Sequence, residues 1–70
     1  MDTERQALLD AAAAHGFTLQ KNIPTRMLFV KEGGRFLELL IVGEGITEMF
    51  TEYDPTRNPT WAKALAYLEA

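Results

Sequence analysis

Hydrophobic and polar positions alternate with two different periods along this chain, and the switch between them divides it into elements. Residues 4–14 hold Ala7, Leu8, Leu9 and the alanines 11–14, a composition that favours helix. Thr3 followed by Gln6 has the form of a capping box that opens this helix, and Gly16 supplies its stop. His15 then falls in the last turn, where an imidazolium interacts favourably with the helix dipole. Phe17, Leu19 and Lys21 alternate with Thr18, Gln20 and Asn22, which predicts a short strand ending at Pro24.

The next two runs, 27–31 and 35–42, are rich in strand-forming residues and flank Gly33 and Gly34, a pair suited to a two-residue hairpin turn. That turn pairs residue 32 with 35, 30 with 37 and 28 with 39. It places Leu28, Val30, Leu37, Leu39 and Ile41 on one face, and Met27, Phe29, Lys31, Phe36, Glu38, Leu40 and Val42 on the other. A one-residue slip would exchange the faces of a whole strand. Gly43, Glu44 and Gly45 mark a second turn into a strand over 46–53. A three-residue loop sets Met49 beside Leu39, whereas a two-residue loop would put the Glu48 carboxylate opposite Leu39 in the core, at a desolvation cost. Asp54, Pro55, Thr56 and Arg57 read as a turn. Asn58 and Pro59 read as the N-cap and first residue of a second helix, whose stripe is Trp61, Ala64, Leu65 and Leu68.

The order helix, three to four antiparallel strands, helix predicts a single α+β domain over residues 1–70: a two-layer sandwich with both helices on one sheet face. The expected covered face carries Leu28, Val30, Leu37, Leu39, Ile41 and Met49. The expected open face carries Met27, Phe29, Phe36, Leu40, Val42, Ile46 and Phe50, interspersed with Lys31, Glu38, Glu48 and Glu52. An apolar set of that size exceeds what a soluble monomer usually exposes, so the expected interface with a protein is Met27, Phe29, Lys31, Phe36, Glu38, Leu40, Glu48, Phe50 and Glu52.

Composition narrows the chemistry. A hydrophobic fraction of 47% with 24% charged residues is that of a folding chain rather than a disordered one. Seventy residues bury only roughly 60% of the surface the unfolded chain exposes, which leaves a lone core marginal and favours self-association. There is no cysteine and no serine, and His15 is the only histidine, so thiolate zinc sites, disulfides, a Ser-His-Asp triad and two-histidine metal sites are excluded. Cysteine-free composition fits the reducing cytoplasm. Apolar runs such as 39–42 are far too short for a membrane span, and Met1, Asp2, Thr3 and Glu4 do not resemble the basic start of a secretory signal.

Charge is segregated within the net −3. Lys21, Arg26, Lys31 and Arg35 lie in one stretch, whereas Glu38, Glu44, Glu48, Glu52 and Asp54 follow with no base among them. Cross-strand ion pairs between the two groups, such as Arg35 with Glu52, are one consequence. Glu48 and Glu52 stand ~13 Å apart on a strand, too far for glycosidase-type acid–base work, and Glu38 with Glu48 lacks a substrate-sized pocket in so short a chain. The glycine pairs lack a following helix or a Gly-Lys-Thr sequence, so they read as turns rather than phosphate loops. No cofactor or metal is expected.

The leading expectation is therefore a non-catalytic interaction domain that forms a homodimer, or binds and inhibits another protein, through its uncovered apolar and acidic sheet face. The alternative uses the basic segment 21–35, with Phe29 and Phe36 between its cations, to bind nucleic acid. The element order is similar to that of double-stranded-RNA-binding modules and the small toxin nucleases built on that fold. That resemblance implies basic residues at the first helix and, for the toxins, a strand histidine. Here the first helix is acidic and the strands carry no histidine.

Overall fold

The computed structural model describes residues 2–53 and 55–70, Asp2 through its backbone only. Helix α1 (Asp2–Ala14) is followed by strands β1 (Thr18–Ile23), β2 (Arg26–Lys31), β3 (Arg35–Val42) and β4 (Gly45–Thr51), then helix α2 (Trp61–Glu69). The strands form one antiparallel sheet in the order β1-β2-β3-β4. Both helices lie on one face of it, giving the α+β architecture expected from the sequence. No helix among the described residues is long and apolar enough to cross a membrane.

Local chemistry explains each boundary. The Phe17 N–H donates to Ala12 O at 2.8 Å and the Gly16 N–H to Ala13 O at 3.5 Å, while Gly16 takes a φ of 83°. This is the Schellman arrangement that a glycine after the last helical turn permits, and it turns Phe17 into the core. The capping box at Thr3 and Gln6 does not form: the helix already includes Thr3, and the Gln6 amide donates to Asp10 Oδ1 at 2.9 Å, one turn along. Asn58 is not the cap of α2. Its backbone lies in the left-handed region at φ 50°, and Thr60 caps instead, its hydroxyl accepting the Lys63 N–H at 3.1 Å. Lys63 reaches back to donate to Arg57 O and Asn58 O, both at 2.9 Å, which holds the bend before the helix. The turn expected at 54–57 includes Asp54, which lies outside the described residues.

The core is a single cluster. Leu8, Ala11 and Ala12 of α1 and Ala64 and Leu68 of α2 meet Met27, Phe29, Leu37, Leu39, Ile41 and Met49 of the sheet. Trp61 and Leu65 pack at its margin, and the Trp61 indole N–H donates to Glu44 O at 3.0 Å, fastening α2 to the β3–β4 turn.

The β2–β3 hairpin differs from the expected register. Its turn comprises residues 32–34, with Lys31 opposite Arg35, Phe29 opposite Leu37 and Met27 opposite Leu39. Gly33 and Gly34 have φ of 90° and 86°, so the glycines are used, but Glu32 joins them in the loop. The single-residue change exchanges the two faces of β2. Met27 and Phe29 are fully buried beneath the helices, while Leu28 and Val30 turn to the opposite side. This register buries the bulkier pair of side chains, the larger hydrophobic gain.

In β4 the expected facing of Met49 holds by a different device. The turn has two residues, Val42 pairing with Gly45, and a bulge then leaves Thr47 unpaired between Ile41↔Ile46 and Leu40↔Glu48. The Thr47 hydroxyl donates to Leu40 O at 3.2 Å. The two-residue turn sets Ile46 inward beside Ile41, correcting its expected place on the open face, and the bulge after it returns Glu48 to the outward side. A second bulge, at Gln20, puts Leu19 opposite Phe29 and Lys21 opposite Leu28. The outer edge of β4 receives the Thr56 N–H on Met49 O at 3.2 Å, whereas β1, exposed along its length, is interrupted by its bulge.

Candidate functional site

The sheet face away from the helices follows directly from these registers. Leu28 and Val30 of β2, Phe36 and Leu40 of β3 and Phe50 of β4 share it, all half-buried by their neighbours and none covered by another layer. Val42, 70% exposed, lies at one end of the face. Of the nine residues expected to form an interface, Phe36, Glu38, Leu40, Glu48 and Phe50 are on this side. Met27 and Phe29 are not: both are 0% exposed in the core, because the three-residue loop rotates β2 by one position. Lys31 moves with them to the helix side, where its ammonium lies 5.3 Å from the centre of the Phe17 ring. Leu28 and Val30 are the residues that sequence reasoning placed on the wrong side. The signal for them was the same alternation read one residue later, which needs the loop length to be resolved.

Glu52 also leaves the expected face. It follows the last residue of β4 and turns to the helix side, where its carboxylate accepts the Tyr67 hydroxyl and Arg35 Nε stands 3.3 Å from Oε2. The ion pair of Arg35 with Glu52 anticipated from the sequence is thus present. Arg35 also donates to Tyr67 O at 3.3 Å and Ala70 O at 3.4 Å, carbonyls at the end of α2, and its guanidinium stacks 4.7 Å from the Tyr67 ring centre. The hydrogen bond from Tyr67, with Arg35 beside it, holds the Glu52 carboxyl below its usual range. Burial, with the bond to Glu52, pushes the Tyr67 hydroxyl up. Every partner in this cluster belongs to the corner between sheet and α2, so it acts as a latch.

Four charged residues remain on the open face, and their order is systematic. Lys21 stands on β1, Arg26 on β2, Glu38 on β3 and Glu48 on β4, so charge passes from positive to negative across the strands. Arg26 and Glu38 form an ion pair through Nε, Nη2 and Oε2 near the middle of the face. Lys21 and Glu48 take part in no ion pair among the described residues.

The basic segment 21–35 does not make one surface. Lys21 and Arg26 face the open side, whereas Lys31 and Arg35 lie over the Phe17 ring on the other. Among the described residues no group of three or more His, Asp or Glu side chains could hold a metal ion. The groove between the helices, about 150 Å³ and lined by Ala7, Leu8, Trp61 and Leu65, is well below the size of a small-molecule site. Comparisons with protein-family models, curated proteins and solved structures found no match to this chain.

Proposed function

We propose that this chain is a non-catalytic protein-interaction domain whose contact surface is the open face of its sheet. The observation that carries the reading is the contiguous apolar group Leu28, Val30, Phe36, Leu40 and Phe50 on the side opposite both helices. Apolar side chains in that arrangement lose unfavourable hydration when another protein surface covers them. The charges around them favour one orientation of the partner over others. In this reading the helices and the Arg35–Glu52–Tyr67 corner hold the sheet, and the sheet presents the face.

The test separates the surface from the core. Phe36→Asp and Leu40→Asp should retain the circular dichroism of the wild type and unfold cooperatively in urea, while losing concentration-dependent or partner-induced shifts in the amide NMR spectrum. A variant pair that no longer folds would show that these residues support the monomer, and the reading fails.

A further inference from the structure

We infer that the occupant of the open face is a second copy of this chain, docked about a two-fold axis parallel to the strands. The inference rests on the reading of that face as a protein contact and adds the partner. Its basis is the charge order Lys21, Arg26, Glu38, Glu48 on β1, β2, β3 and β4.

Two sheets stacked face to face about an axis along the strands place β1 over the second copy's β4, and β2 over its β3. The strands that carry the cations Lys21 and Arg26 then lie over the strands that carry the anions Glu48 and Glu38, each cation two residues along the strand direction from the facing anion. The same operation repeats both pairs on the other side of the axis, as a self-complementary interface requires. An axis in the sheet plane but across the strands would place β1 over β1 and β4 over β4, setting the basic strands against each other and the acidic strands against each other. Like charges so juxtaposed are unfavourable, so the charge order selects one arrangement.

The same order disfavours other occupants. The four charges of the face cancel although the whole chain carries −3, so the face offers no net attraction to a polyanion or to a strongly charged protein. It is instead complementary to its own rotated image. Along the axis Val30 and Phe36 meet across the interface, since β2 overlies β3 and the two residues are paired within one chain. Strand spacing and rise make the face roughly 20 Å by 20 Å, at the small end of specific interfaces, so the dimer is a weak one with a dissociation constant on the order of micromolar or above.

The experiment is solution mass by light scattering with sedimentation equilibrium, from about 1 μM to about 1 mM, on the full chain and on Lys21→Glu, Glu48→Lys and the double variant. The expected result is twice the monomer mass at high concentration and a roughly tenfold weaker dimer for each single variant, with recovery in the double variant. Mixing the two single variants should also restore association, because one then carries only acids at the strand edges and the other only bases. A dimer indifferent to all of these changes overturns the two-fold arrangement. A chain that stays monomeric to the highest concentration, while Val30→Asp still folds, overturns the second copy as occupant but not the face as a contact surface. Unfolding of Val30→Asp removes the contact surface itself.

Discussion

The two faces of the sheet are built from the same kinds of residue and do different work. Beneath the helices lie Met27, Phe29, Leu37, Leu39, Ile41 and Met49; on the other side lie Leu28, Val30, Phe36, Leu40 and Phe50. Hydrophobicity by itself does not distinguish them. The first set is closed by Leu8 and Leu68, whereas the second is interrupted by the Arg26–Glu38 pair and framed by Lys21 and Glu48. An apolar side chain becomes core when a second layer can reach it, and charges at the neighbouring positions keep the other face hydrated.

Truncation should separate the faces most sharply. Phe29→Ala empties a fully enclosed site and should cost about 3–5 kcal/mol in urea unfolding, enough to threaten the fold of a chain this small. Phe36→Ala, on the uncovered face, should cost about 1 kcal/mol by the same measurement. Equal losses would mean that the open face supports the monomer as much as the core does.

The turn that sets the register comes next. Gly34 has a φ of 86° with nothing near the position of an added Cβ, so Gly34→Ala should destabilise through backbone conformation alone, by about 1–2 kcal/mol. A negligible change would indicate that the loop can relax, and with it the allocation of β2 side chains to the two faces.

Thr60→Ala should cost about 1 kcal/mol by removing the hydroxyl that accepts the Lys63 N–H, and Thr60→Ser should recover most of it. This loss loosens the cover of one face and leaves the charges of the other unchanged, so thermal unfolding should shift while the mass distribution at a given folded concentration does not.

The smallest expected effect is at the corner latch. Folding lowers the affinity of Glu52 for a proton, so its contribution is present above the ordinary carboxylate range and is lost as pH falls through and below it. Glu52→Gln should therefore flatten the acid limb of a stability-against-pH curve. Tyr67 shifts the opposite way: folding favours its protonated form, so that contribution is full below the ordinary phenol range and is lost as pH rises beyond it. Tyr67→Phe should remove the alkaline effect and weaken the acid one, both followed by urea titration at fixed pH.

Much of the fold was legible because its signals are local. Gly16 stops α1 through the backbone freedom that a Schellman turn needs, and the stripe of Trp61, Ala64, Leu65 and Leu68 lies where its helical period places it. Leu37, Leu39 and Ile41 face the helices as the alternation of β3 implies. The open face was legible in outline through Phe36, Glu38, Leu40, Glu48 and Phe50. Its β2 half was not, because Met27-Leu28-Phe29-Val30 is apolar at every position and alternation carries no information there. Thr60 was overlooked because Asn58 and Pro59 offer an equally good local cap. The competition was settled by the left-handed bend at Asn58 and the grip of Lys63 on the preceding carbonyls.

The sequence by itself determined the order of elements, the helix-covered side of β3, and the segregation of bases before acids, since each depends on spacing along a few neighbouring residues. Only the tertiary structure decided the loop of residues 32–34, the bulges at Gln20 and Thr47, and the order of charge across the strands. Those features depend on which side chains fill the space beneath two helices brought together from opposite ends of the chain. A difference of one residue in a loop costs little locally, yet it changes which half of a strand is buried.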